Sequence, residues 1–518
     1  MTRTESARAA TLVVSLATLA SRVLGFVRDV LVAATLGAGP VADAFLVAFR
    51  LPNLARRALA EGALTAGFAP LYGRVLERDG ARAAARLGGE ALSGLALLLA
   101  LATALAMIGA GALVLAVAAG FADDAALVAR TTELARLALP GIVGFGCAGL
   151  LAAMLAARER VAALALAPLA TNLVLIASLL LLPRLTADPE LLARPLAGSV
   201  ALAGFVQLAI VAVAARRIGA VTLALPRLGP ELRTALALVG PALVTVASVE
   251  LVFLAATQAA SFTPGLVARL YYAERLVQLP LGIVASVATT VLLPRLATRV
   301  RAGDSGGFAA AQNRALEATA ILALPAATGL LVLAEPIVRV LFVRGAFGEA
   351  DAMATAAILA GLALGLPLAA AAKILQQGAF ARERARPGLV ATMAAIAATL
   401  AACFLLTPAL GPLGLGLGVA AGLLVQAGAL AIVAMRVEGW RPDARLVARL
   451  GRAALASAIM AGALVLAASA GIDLGRPLPL ALACIGGGAL YALAAVALGA
   501  VTRADLAGGP RKSPPEAP

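Results

Sequence analysis

About fourteen stretches of roughly twenty or more mostly apolar residues follow one another along this chain, each ending at a charged or Pro/Gly-rich turn. No other feature narrows the fold as far. A backbone in hydrocarbon has no water to bond, so each stretch must satisfy its N–H and C=O groups internally, as helix. The expected spans are 9–34, 41–72, 88–119, 125–157, 161–183, 195–217, 232–259, 265–297, 308–335, 351–378, 388–409, 411–435, 447–470 and 477–501. The composition agrees: 62% of residues are hydrophobic and 13% charged, with a mean hydropathy of +1.00. Soluble domains carry about a quarter charged residues. The fold class is therefore an all-α polytopic membrane protein. The first apolar stretch is long, carries arginines and lacks a small-residue cleavage site, so it reads as segment 1 and not as a removable signal.

The net charge of +15 would point to nucleic acid in a soluble chain. Here its position matters more than its size, because Lys and Arg collect on the cytoplasmic side of membrane helices. Arg3 and Arg8 precede segment 1. Arg74 to Arg86, Arg158 and Arg160, Arg216 to Arg233, Arg295 to Arg314, Arg382 to Arg386, Arg436 to Arg452 and Arg503 to Lys512 follow the even-numbered segments. The opposite connections are nearly bare. Both termini are expected in the cytoplasm, with no nucleic-acid partner. The Pro/Gly-rich tail, 503–518, is expected to be disordered.

A displacement of 224 residues lays Pro40 on Pro264, Thr65 on Thr289 and Pro70 on Pro294. Six segments separate the copies, an even number, so both insert with the same orientation. That is a parallel repeat about an axis along the membrane normal, a design that places substrate sites between the halves near the midplane. The expected domains are 1–230 (segments 1–6), 231–440 (segments 7–12) and 441–502 (segments 13 and 14, outside the repeat).

Segments 1, 2 and 8 break the apolar rule. Arg22, Arg28 and Asp29 sit in SRVLGFVRD; Asp43, Arg50, Arg56, Arg57 and Glu61 in DAFLVAFRLPNLARRALAEGALTAGFAP; Glu274 and Arg275 in LYYAERLVQLP. An arginine at membrane depth costs roughly 2.5–3.5 kcal/mol on insertion scales, so Arg22, Arg28, Arg56, Arg57 and Arg275 together cost on the order of 15 kcal/mol. A shared water-filled cavity with an anionic partner offsets that. Guanidinium binds phosphate oxygens in pairs and stays charged in a low dielectric. Pro52-Asn53 reads as an interruption of segment 2, and Arg57 and Glu61 as an i,i+4 pair. Arg22 and Asp29 are seven apart, on one helix face. Glu250, the lone acid of segment 7, either binds a proton or Na⁺ or neutralises a cavity arginine. Asn172 reads as a helix–helix hydrogen bond.

Other chemistries lack their residues. His is absent and the three cysteines are scattered in apolar segments, so neither a zinc site nor a disulfide framework can be drawn. No phosphate-binding Gly-rich loop, paired catalytic carboxylates or nucleophile–base set is present. No enzyme activity and no cofactor is expected.

The runs SRVLGFVRD, GAGPVADAFLVAFRLPNLARRALAEGALTAGFAP, YYAERLVQLPLGIVASVATTVLLP and LVLAEPIVRVLFVRGAF resemble the MurJ/MviN family. Its members are lipid II flippases of the multidrug/oligosaccharidyl-lipid/polysaccharide exporter superfamily, and the resemblance covers segments 1 to 12 in order. It implies two six-helix lobes around a cationic cavity, with segments 13 and 14 forming a lipid groove. It also implies alternating access that carries undecaprenyl-pyrophosphate-linked disaccharide-pentapeptide across the bacterial inner membrane. Carried over, the substrate-binding residues are Arg22, Arg28, Arg56 and Arg275, supported by Asp29, Asp43, Arg57 and Glu61, with Glu250 a candidate for ion coupling. Implied partners are lipid II, membrane lipids and a coupling ion. Some members place Na⁺ on helices 7, 11 and 12 with Asp and Asn ligands; here segments 11 and 12 offer little beyond Thr392, Thr399 and Gln426. The alternatives are a flippase for another polyprenyl-linked oligosaccharide, or a multidrug/cation antiporter, which needs acidic and aromatic cavity residues that this chain, at 4% aromatic, supplies sparingly.

Overall fold

The computed structural model of the chain describes residues 3–58, 64–186, 188–222, 224–225, 248–287, 292–382, 384 and 386–502. Glu61 and the tail from Arg503 lie outside the described residues. Within them the chain is all α-helix apart from short 3₁₀ turns and one isolated bridge.

In order, the helices are α1 (Arg3–Leu36), α2 (Pro40–Ala58), α3 (Leu64–Ile108), α4 (Ala110–Val117), α5 (Ala125–Ala138), α6 (Gly141–Ala157), α7 (Val161–Leu181) and α8 (Pro189–Arg217). After residues 226–247, outside the description, come α9 (Ser248–Ala260), α10 (Leu266–Val287), α11 (Leu293–Arg301), α12 (Ser305–Val332), α13 (Ala334–Phe342) and α14 (Glu349–Ala381). The last four are α15 (Arg386–Leu410), α16 (Pro412–Val437), α17 (Ala444–Ser469) and α18 (Pro477–Ala497).

Among the described residues ten spans are long and apolar enough to cross a membrane, and they coincide with expected segments 3 to 6 and 9 to 14. The described residues of the other four segments are also helical. α1, α2 and α10 carry the charges, and α9 has 13 described residues. The outward faces confirm the solvent: Leu405, Leu466, Ile485 and Leu493 are about 70% exposed, an arrangement stable only against lipid.

Two local expectations change. Pro52 does not interrupt the second segment, because α2 runs through it from Pro40 to Ala58. The basic stretch after segment 2 is helical too: α3 continues through it and bends at Gly80, whose φ of 84° needs glycine. Arg, Ala, Leu and Glu are good helix formers, so the helix continues where the apolar pattern stops.

The chain divides into two compact units. The first is Met1–Arg275 with Leu341–Thr355 and Thr399–Leu405. Its main core gathers Phe68, Tyr72, Leu95, Leu151 and Met154 around α3, α6 and α8. α6 and α8 cross so closely that a Cβ on Gly144 would lie 2.5 Å from the Gly204 carbonyl carbon; small residues let helices approach this far in lipid. The second unit is Leu276–Val340, Ala356–Ala398 and Leu406–Pro518. There α17 and α18 pack with α12 around Met460, Leu464 and Tyr491, whose hydroxyl donates to the Ile321 carbonyl at 2.7 Å. A buried ionic knot ties α12 to α17, where Glu317 faces Arg314, Arg445 and Arg449.

Candidate functional site: a buried arginine–carboxylate cluster

Three helices of the first unit bring the charges together. On α2, Phe49, Arg50, Asn53 and Arg57 recur at spacings of one, three and four, and on α10 Tyr271, Glu274 and Arg275 do the same, so each set shares a face. α1 supplies Arg28 and Asp29.

Asp29 is the hub, and it is buried. Its Oδ1 accepts from Arg28 Nε at 3.0 Å and Nη2 at 2.8 Å, and from the Tyr271 hydroxyl at 3.0 Å. Arg275 Nε lies 3.8 Å from Oδ2. Arg28 spends its remaining arm on Asn172 of α7, donating from Nη1 to Oδ1 at 2.9 Å. Asn172 in turn donates to the Ser21 carbonyl at 3.0 Å. It is thus the expected helix–helix bond, and it also aims Arg28. The Arg275 guanidinium lies 4.4 Å from the Tyr271 ring centre, and Arg28 lies 5.4 Å from that of Phe49, which meets Tyr271 edge-on.

A second carboxylate closes the cluster. Glu274 is fully buried, receives Arg50 Nη2 at 2.6 Å, and has Arg275 Nη2 at 3.7 Å. Three guanidinium groups and two carboxylates therefore share a low-dielectric interior. Charges survive there only when paired; Asp29 and Glu274 hold Arg28 and Arg50 by hydrogen bonds, and each has Arg275 at the longer ion-pair distances of 3.8 and 3.7 Å.

The other sequence candidates lie around this core or apart from it. Arg57 forms an ion pair with Glu250 of α9, which favours the neutralising role among the alternatives open for Glu250. Arg56 Nη2 donates to Asn53 at 3.0 Å, and its guanidinium lies 6.0 Å from the Phe145 ring centre. Asp43 bonds backbone: its carboxylate accepts from the Gly265 and Ala268 N–H groups, capping the start of α10. Arg22 shares the Asp29 face of α1, about 10 Å nearer the N-terminus, and is exposed. That face is covered at Asp29 and open at Arg22.

Sequence reasoning left Arg50, Glu274 and Tyr271 off the site. One signal could have found the first two: they are 224 residues apart, the repeat displacement itself. Two small pockets adjoin the cluster, one lined by Arg28, Asp29, Phe49 and Tyr271, the other by Arg50, Asn53, Glu250 and Arg275. Each holds about 10 Å³ of open space, near the minimum for one water. Among the described residues no group of His, Cys, Asp or Glu could hold a metal ion.

A multi-pass helical bundle with paired arginines and carboxylates buried between its membrane helices defines the protein as a polytopic membrane protein of the transporter class. The chain belongs to the lipid II flippase MurJ family, whose sequence model matches residues 32–473. It is 38% identical over 456 residues to a probable lipid II flippase MurJ of Rhizobium meliloti (strain 1021), covering 87% of this chain and 85% of that protein. A probable lipid II flippase MurJ of Vibrio cholerae is 30% identical over 88% of both chains. Among solved structures, a lipid II flippase MurJ in an inward closed conformation matches with a TM-score of 0.77 at 20% identity, over 93% of this chain and 98% of that one. An inward-facing multidrug resistance transporter of the MATE family matches with a TM-score of 0.67 at 16% identity, over 81% and 95%. These two likenesses concern the fold alone.

Proposed function

We propose that the protein carries lipid II from the cytoplasmic to the periplasmic leaflet of the bacterial inner membrane by alternating access, binding the pyrophosphate with an arginine-lined central cavity. The observation that carries this reading is the shared hold of Arg28 and Arg275 on Asp29. One carboxylate, helped by Tyr271, occupies guanidinium arms that a pyrophosphate would fit better, since it offers more oxygens and more charge. Substrate binding then means exchange: the pyrophosphate takes Arg28 and Arg275, and Asp29 is released.

The nearly filled pockets support a closed state that must open before a headgroup enters. Arg22, on the open part of the same α1 face, is the first cavity arginine such a substrate meets, and Arg56 extends the basic lining along α2. Arg57, Glu250 and, by the sequence, Glu61 adjust the charge beside it. The arginine-rich even-numbered connections support cytoplasmic termini. The repeat supports lobes at 1–230 and 231–440, with 441–502 guiding the lipid tail.

The test is depletion of the protein in cells whose lipid II can be assigned to a leaflet. Accumulation in the inner leaflet, reversed by the wild-type chain and not by Arg275→Ala, is expected. Unchanged leaflet distribution after depletion would rule the reading out.

A further inference from the structure

A second cavity, of about 780 Å³, lies between α3, the end of α6 and the segment that follows α8. None of its lining residues belongs to the arginine–carboxylate cluster. Its walls are firmly built. A Cβ on Gly89 would lie 1.9 Å from the Thr222 carbonyl oxygen, so the segment after α8 runs hard against α3. Thr222 N donates to the Ala85 carbonyl at 3.1 Å, and the Tyr72 hydroxyl to the Ala220 carbonyl at 2.9 Å.

Arg158, at the end of α6, is held in this frame. Its Nε donates to the Tyr72 hydroxyl at 3.0 Å and its Nη1 to the Ile218 carbonyl at 2.9 Å. Its Nη2 is buried with no acceptor among the described residues. Arg158 also lines the cavity, and a buried, charged donor left unmet is costly, so a small turn of the guanidinium toward an anion there would be favoured. The cavity supplies the rest of an anion site. Arg82 and Arg86 line it and are exposed, Glu90 is held by Arg86 at 3.0 Å, and Ile218 and Leu225 give it an apolar part.

We propose that this cavity binds a phosphate group, that of an anionic phospholipid headgroup or of a soluble phosphate ester. Arg158 provides the fixed contact and Arg82 a mobile one. Basic pockets at the cytoplasmic ends of membrane helices take phosphate headgroups by this chemistry, and the volume lies within the range of ligand pockets. The proposal does not depend on what the central cluster carries.

The test uses the full-length protein in neutral detergent, titrated with short-chain phosphatidylglycerol, short-chain phosphatidylcholine and inorganic phosphate. Saturable binding is expected, weakened about tenfold by Arg82→Glu, as for one lost charge-assisted contact, and left intact by Arg28→Ala. Arg158→Gln should weaken it as well. Arg82, being exposed, keeps the test valid even if Arg158→Gln disturbs the fold. Binding of phosphatidylglycerol without phosphate supports the lipid source, and binding of phosphate itself the soluble one. If neither anion binds saturably, or if Arg28→Ala abolishes binding while Arg82→Glu does not, the proposal is overturned.

Discussion

Arg50 and Glu274 stand 224 residues apart in the chain and 2.6 Å apart in space. The same displacement lays the second copy of the internal repeat on the first. Asp43 likewise bonds the backbone of Gly265 and Ala268, which flank Val267, the residue 224 positions further on.

Arg50→Ala removes the nearer partner of a fully buried carboxylate. Breaking such a pair costs about 3 kcal/mol, so the variant should unfold at clearly lower temperature in detergent. The exchange Arg50→Glu with Glu274→Arg should recover part of the loss, because it restores an opposite-charge pair between the same two positions. A single variant as stable as the wild type would show that the pair is idle.

Arg28→Ala and Arg275→Ala are expected to abolish flipping while insertion and expression stay normal. Arg28→Lys should also lose most activity, since lysine cannot hold Asp29 with two nitrogens and reach Asn172 with a third. The measurement is complementation of a depletion strain. Full growth on either alanine variant would remove the cluster from the transport path, and full growth on the lysine variant would leave only its charge as important.

Asp43 should behave as a cap. Asp43→Asn keeps an acceptor for only one of the Gly265 and Ala268 amides and turns its NH2 toward the other; it should transport normally and lose part of the roughly 1 kcal/mol of stability that Asp43→Ala loses. Thermal melts of both variants beside transport assays decide it. If Asp43→Asn is inactive at normal stability, its charge is needed and the capping account is insufficient.

Energy coupling is the least constrained step. A net-positive cluster feels the membrane potential at about 2.3 kcal/mol per charge per 100 mV, so dissipating the potential should stop flipping. Replacing Na⁺ with K⁺ should not, as Thr392, Thr399 and Gln426 bring no carboxylate. Transport arrested by Na⁺ withdrawal at constant potential would reverse that expectation.

Glu250→Gln separates two roles. If Glu250 only balances Arg57, the double variant Arg57→Gln with Glu250→Gln should transport at least as well as Glu250→Gln alone. If Glu250 carries a proton, both should lose the pH dependence of the rate. Vesicle assays across pH distinguish these outcomes.

Much of this protein was legible from its residues, because lipid imposes a severe rule. Every span must be a helix, and every charge within one must have a reason. That rule sufficed for the all-helical class, for singling out segments 1, 2 and 8, and for Arg28, Asp29 and Arg275. It failed at Pro52 and between segments 2 and 3, where the apolar pattern ends but helix propensity does not.

Pairing is different in kind. Arg57 has Glu61 four residues away, outside the described residues, and it also pairs in space with Glu250, on another helix. Arg275 neighbours Glu274 in the chain, but Glu274 gives its shortest bond to Arg50. Asp43, expected among the supporting polar residues, holds the start of α10. Local spacing ranks partners within one helix, whereas a buried charge takes whatever the packing of α1, α2, α7, α9 and α10 brings within about 3 Å, and at low dielectric those last ångströms dominate its energy. The sequence by itself determined that arginines lie within the membrane; only the tertiary structure decided which carboxylate each one holds.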